Sequence, residues 1–247
     1  MSGHSKWSQI KRQKTSTDVK RGQLFSKLAS AITIAAKEGG SGDPQTNFKL
    51  RMVLEQAKAV NMPKENIQRA IERGLGKGDA GIILEEVVYE GFGPGGIAII
   101  AEATTDNRNR ANSEIKKVLE LAGGRLAGSN SVLWGFEKKG MIMVKSDKSF
   151  DESFMVAAEA GAEDLEEAGN VFEIYTKIED LEKVKKNLID RGFKIVTSEL
   201  TLKPTDIVKI TDLNLAQKVL TLMDKLDELD FVQKVYSNFD IPDKLLV

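Results

Sequence analysis

The spacing of apolar residues changes character at Ile82. Before it, apolar side chains recur every three or four residues; after it, the first stretches alternate. That switch restricts the fold to a helical segment followed by a mixed α+β region. Leu24, Leu28, Ile32 and Ala35, with Phe25 and Ala31, form one stripe of a helix over 24–37, ended by Gly39 and Gly40. Asp43-Pro44 is expected to open a second helix to about Val60, with Leu50, Val53, Leu54 and Ala57 inward. Met62-Pro63 opens a third through Ile67, Ala70 and Ile71, closed by Gly74 and Gly76. Lys64, Arg69 and Arg73 fall on its polar side and read as a solvated face. Three helices of this length make a small bundle over residues 1–77.

Beyond Ile82, ILEEVVYEGF and GIAIIAEAT read as two strands. The letters between them, Gly91-Phe92-Gly93-Pro94-Gly95-Gly96, match a dinucleotide-binding fingerprint. That fingerprint needs a helix after its glycines, and here a strand follows, so a hairpin loop with positive backbone angles is expected. Thr105 to Arg110 leads into a helix through Ile115, Val118, Leu119 and Ala122, with Asp106 or Asn107 as its cap. After Gly123-Gly124 the pattern predicts a strand (131–136), a turn (138–140), a strand (141–144), a helix (154–160), a strand (171–176), a helix (181–191) and a strand (193–202). This ββαβαβ set is complete within residues 129–205. Residues 78–128 supply only ββα, and the missing helix and strand occur at 213–229 and 232–237. The expected architecture is α+β: an N-terminal three-helix domain (1–77), then two ferredoxin-like sandwich domains. The third (129–205) is inserted into the second, which is split into 78–128 and 206–247.

Charge is distributed unevenly over these segments. Residues 1–77 carry 15 Lys and Arg against 6 Asp and Glu, and residues 146–247 carry 13 against 22. A basic head on an acidic body suits a polyanionic partner. The concentration is greatest in the first 27 residues, where Lys6, Lys11, Arg12, Lys14, Lys20, Arg21 and Lys27 face one acid, Asp18, and surround Trp7. From Ser2 to Gly22 the apolar residues are Trp7, Ile10 and Val19, too few to pack as a core. Such a segment can lie along nucleic acid, with cations on phosphates and the indole free to stack, or fray into solvent as basic termini commonly do. Arg108 and Arg110 form a second candidate. They stand in the first turn of a helix, where the dipole disfavours cations, and they serve either as phosphate ligands or as partners of carboxylates such as Glu114.

Little points to catalysis. His4 is the only histidine and there is no cysteine, which removes disulfides, thiolate metal sites and cysteine nucleophiles. Glu85-Glu86 and Glu166-Glu167 are adjacent, so on a strand each pair faces opposite sides and makes no acid–base couple. Magnesium chemistry on carboxylates alone has no cluster to suggest it. No apolar run reaches the roughly 18 residues of a membrane span, and no signal-peptide core is visible, so a cytoplasmic location is expected.

Gly3-His4-Ser5-Lys6-Trp7, Ile10-Lys11 and the run from Arg21 through Gln23-Leu24-Phe25 to Lys27 resemble the start of the YebC family. Tyr89 to Gly96, Thr105 to Arg110, and Ala160-Gly161-Ala162-Glu163-Asp164 are similar to its other hallmark stretches, in order along nearly the whole chain. Gln13 stands where relatives often carry another basic residue. The family includes the mitochondrial translational activator of cytochrome oxidase subunit I. The resemblance implies a helical domain followed by two α+β domains and a non-enzymatic regulator without cofactor, metal, small-molecule substrate or membrane. It implies DNA-binding transcriptional regulation or, alternatively, action at the ribosome through ribosomal RNA, easing translation of difficult sequences such as proline runs.

Overall fold

The computed structural model describes residues 18–77, 84–169, 171–242 and 245. Three helices come first: α1 (Asp18–Gly39), α2 (Phe48–Ala59) and α3 (Lys64–Gly74). Their shared core is Leu28, Ile32, Ala35, Leu50, Leu54, Ala57, Met62 and Ala70, the stripes that the spacing predicts. One boundary differs. Asp43 does not open α2. Its carboxylate accepts from the Gln45 amide at 2.8 Å and its carbonyl from the Asn47 amide at 3.0 Å, closing a single turn. Asn47 then has extended backbone and accepts from the Leu50 amide, so Asn47 is the cap and α2 starts at Phe48.

The first sheet contains β1 (Glu85–Phe92), β2 (Ala98–Thr105), the short β3 (Arg125–Leu126) and β9 (Val232–Ser237), in the order β3-β1-β2-β9 with every pair antiparallel. A single turn of 3₁₀ helix, Pro94–Gly96, joins β1 to β2, and Gly95 and Gly96 take positive φ of 76° and 75°. These are the backbone angles expected of a hairpin loop here. Helices α4 (Arg108–Leu121) and α7 (Leu213–Asp227) cover one face of the sheet. Ile99, Ala101, Ile115, Leu119, Val219, Leu222 and Val235 are buried between them. A two-residue parallel pair, β8 (Val208–Lys209) with β10 (Phe239–Asp240), lies beside this core.

Between β3 and β8 the chain builds the second sheet: β4 (Phe136–Lys145), α5 (Phe150–Ala160), β5 (Asp164–Ala168), β6 (Val171–Thr176), α6 (Leu181–Asp190) and β7 (Lys194–Pro204), with strand order β5-β6-β4-β7. The arrangement is βαββαβ, not the ββαβαβ read from the sequence. Two local effects account for the difference. The expected strand at 131–136 is a 3₁₀ turn (Leu133–Gly135) leading into one unbroken strand, with no turn at Lys138–Gly140. Gly140 looks like a turn residue, but a Cβ there would strike Thr176 and lie 2.9 Å from Leu181, so its role is close approach of sheet and helix. The acid-rich β5 shows no strand pattern in the sequence because Glu166 and Glu167 interrupt its apolar alternation, which an edge strand tolerates.

Polar and apolar contacts join these parts. Phe48 and Met52 of α2 pack into the core under the second sheet, and Lys185 of α6 pairs with Glu55 at 2.9 Å. Lys49 bridges Glu38 of α1 and Glu86 of β1, both at 2.8 Å. Burial disfavours the Lys49 charge, but the hydrogen bonds to Glu38 and Glu86 outweigh it and raise its pKa. Between the two sheets, Ile100, Val132, Phe136, Leu202 and Tyr236 form a small core of their own. Beside it Glu90, only 4% exposed, accepts main-chain N–H bonds from Asn130 (2.6 Å), Val132 (2.8 Å) and Leu133 (2.9 Å).

Candidate nucleic-acid interface

The described cations divide into those that hold the fold together and those left at the surface. Lys27 belongs to the first group. Its ammonium bonds the Asp227 carbonyl at the end of α7 and lies 3.5 Å from that carboxylate, with 12% of its side chain exposed. A cation there also suits the helix dipole. Lys27 is therefore a pin between the helical segment and α7, and it is not turned toward a ligand. Lys6, Trp7, Lys11, Arg12 and Lys14 lie outside the described residues, and of Lys20 only the helical backbone is described.

Arg21 is exposed, and its guanidinium lies over the Phe25 ring, 5.4 Å from the centroid. Phe25, Ser26 and Ala29 of α1 face Met62, Asn66, Arg69, Ala70 and Arg73 across a shallow groove of about 200 Å³. Its floor is apolar and its rim carries two arginines. Arg69 is steadied by the Asn66 side-chain oxygen at 2.5 Å. Lys64 and Arg73 are exposed and make no ion pair with another described residue. The groove depends on α3 packing against α1, where Thr33 donates to the Ala70 carbonyl at 3.1 Å. Sequence periodicity places Lys64, Arg69 and Arg73 on the polar side of α3. It does not show that two of them rim an apolar cleft next to Arg21. The proximity of Phe25 to Met62 and Ala70 arises only from tertiary packing.

Arg108 and Arg110 are exposed and paired. Arg108 Nε meets Glu85 at 2.7 Å, and that hydrogen bond raises its pKa further. Arg110 meets Asp106 at 2.8 Å and Glu114 at 4.0 Å, and Asn107 caps the helix by accepting from the Arg110 amide at 3.0 Å. All three carboxylates are more than a third exposed, so these are rim pairs rather than buried ones. Glu85 and Glu86 face opposite sides of β1 as expected, one toward Arg108 and the other toward Lys49. Among the described residues no group of three or more His, Asp or Glu side chains stands close enough to hold a metal ion. No helix among them is long and apolar enough to cross a membrane.

Comparison with known proteins places this geometry in a known setting. Residues 5–77 match the model for the TACO1/YebC protein N-terminal domain, and residues 84–239 match that for the TACO1/YebC second and third domain. A relative from Sulfurihydrogenibium sp. is 50% identical over 100% of this chain and 98% of its own length. Another, from Dictyoglomus thermophilum, is 48% identical with the same coverage. Both carry the name "Probable transcriptional regulatory protein". The crystal structure of a conserved hypothetical protein, Aq1575 from Aquifex aeolicus, superposes with a TM-score of 0.84 at 46% identity, covering 93% of this chain and 94% of that one. The two family models together span residues 5–77 and 84–239, the relatives match over the full length of the chain, and the chain belongs to the TACO1/YebC family.

Proposed function

We propose that this chain is a non-enzymatic, nucleic-acid-binding regulator of gene expression that acts in the cytoplasm as a DNA-binding regulator of transcription. The observation that carries this reading is the groove between α1 and α3, where Arg69 and Arg73 rim an apolar floor, Arg21 lies over the Phe25 ring beside it, and Lys64 stands on the same helix as the two rim arginines without an ion pair among the described residues. The basic residues from Lys6 to Lys20 directly precede Arg21 in sequence. Cations free of carboxylate partners are the ones available to release counterions from a phosphate backbone. The names of the relatives support a role in transcription. Arg108 and Arg110 form a secondary contact, because a phosphate must displace Glu85, Asp106 and Glu114 to reach them.

A second reading has support of its own. The cations flank a groove on two helices, and this favours phosphate-led binding, which suits ribosomal RNA as well as DNA. On this reading the protein is a ribosome-associated translation factor. Sedimentation of cell extract through a sucrose gradient, with and without nuclease, separates the two. Co-migration with ribosomal particles supports translation, whereas recovery with chromatin at defined promoters supports transcription. A protein that stays at the top of the gradient and recovers no DNA has neither role.

A further inference from the structure

Trp134 is 75% exposed, yet it is held firmly. Its indole N–H donates to the Ser131 carbonyl at 3.1 Å within the turn Leu133–Gly135. On one side the turn is clamped by the Glu90 carboxylate, which accepts from Asn130, Val132 and Leu133. On the other, the Gly135 carbonyl accepts from the Thr205 amide at 2.9 Å and its hydroxyl at 3.1 Å. Val132 is buried and Leu133 packs inward against the core between the sheets. A ring fixed in this way loses little freedom on binding.

The geometry points to Trp134 as a stacking platform for one unpaired nucleobase of a single-stranded nucleic acid, a subsite that rests on the nucleic-acid reading above. The only polar atom of the indole is already bonded within the turn, so the ring offers a ligand its face and no hydrogen bond. That selects a flat aromatic partner and tolerates any base. In sequence, Asn130, Ser131 and Gly135 beside it are polar or small, and Leu133 packs inward. Lys138, at most roughly 14 Å along the chain, is exposed and makes no ion pair with another described residue, while Glu137 beside it is taken up by Lys139 at 3.1 Å.

The full chain with Trp7→Phe leaves Trp134 as the single tryptophan reporter. Dye-labelled oligouridine, oligothymidine and a DNA duplex, each about 12 nucleotides long, are titrated while dye anisotropy reports binding and indole emission reports the subsite. Quenching of the indole at saturation by either single strand, with little change on duplex binding, is expected. In the otherwise unaltered chain, Trp134→Ala is expected to weaken single-strand binding by roughly 5- to 100-fold and leave duplex affinity and the circular-dichroism melt unchanged, with Trp134→Phe recovering part of the loss. Saturation with a silent indole, or equal single-strand affinity for Trp134→Ala, overturns the subsite and spares the general reading. No anisotropy change with any of the three probes overturns both.

Discussion

Glu90 offers the sharpest test of how the two sheets are held together. Its carboxylate is 4% exposed and accepts from three main-chain N–H groups of the loop that leads into β4. Glu90→Gln keeps size and shape but changes one oxygen into a donor. If the amide oxygen takes the place of Oε2, it keeps the bonds from Val132 and Leu133 as neutral ones. Each then loses about 1 kcal/mol of charge assistance. The amide nitrogen faces the Asn130 N–H, donor against donor, and leaves it unsatisfied at about 1–3 kcal/mol. Burying a neutral amide is easier than burying a carboxylate, which offsets part of this, and the net loss is about 2–4 kcal/mol. For a chain of this size that corresponds to a fall in Tm of roughly 5–15 °C. Urea unfolding followed by far-ultraviolet circular dichroism and indole emission measures it. Glu120→Gln, on the exposed side of α4, is the control and should stay within about 0.5 kcal/mol of the parent. If Glu90→Gln is as mild as that control, the carboxylate does not hold the loop and the account of the rigid turn around Trp134 falls with it.

Other outcomes follow from the same contacts. Arg108→Gln with Arg110→Gln removes only solvent-exposed pairs, so Tm should change little while nucleic-acid binding weakens; a large drop in Tm with unchanged binding would show these arginines to be structural. Lys27→Met removes the pin at the end of α7 and should cost about 1–3 kcal/mol, with proteolysis showing α1 detaching more readily; unchanged protease resistance would contradict that role. Burial opposes the Lys203 charge, but its bonds to Asp164 and Glu166 raise its pKa, and burial with the nearby Glu102 and Glu199 raises that of Tyr236. Both groups hold their protons more tightly in the folded chain, so their contribution is complete below about pH 10 and is lost as pH rises through the raised values. Melting curves from neutral to alkaline pH should show that loss, and Lys203→Met and Tyr236→Phe should each flatten it. We also propose that residues 129–205, which contain the whole βαββαβ sheet, melt cooperatively as an isolated fragment, whereas 78–128 do not; a cooperative melt of 78–128 would contradict the split.

The helical segment was legible in the sequence because its signal is local. The stripe Leu28, Ile32 and Ala35 needs no knowledge of the rest of the chain. So was the need for an extra helix and strand to complete β1, β2 and α4, since counting elements exposes a gap. What failed was registration at sites where two causes produce the same letter. Gly140 resembles a turn and is a packing contact; Asp43 resembles a helix cap and closes one isolated turn. The candidate interface was legible only in part. Composition singles out Lys27 as readily as Arg21, and only the position of Asp227 at the far end of α7 tells them apart. The groove and the Trp134 turn join residues far apart in sequence, such as Phe25 with Arg73 and Glu90 with Leu133, which no periodicity reports.

Closing the first sheet with β9 has a consequence for biosynthesis. Ser237 bonds the Ala98 carbonyl across 139 residues of sequence. At translation rates of roughly 5–20 residues per second, that interval lasts roughly 7–28 s. During it the β2 edge emerges with Ile99, Ala101 and Ala103, which β9 and α7 later cover, still lacking that cover. The whole second sheet is synthesised within the same interval and can fold locally, because its strands all lie between Phe136 and Pro204. The nascent chain therefore carries a finished module behind an unfinished one, with an open strand edge that invites pairing with a neighbouring copy on the same message. Expression at lower temperature, or with slower initiation that spaces the nascent chains apart, should raise the yield of soluble protein more than any change to its final stability.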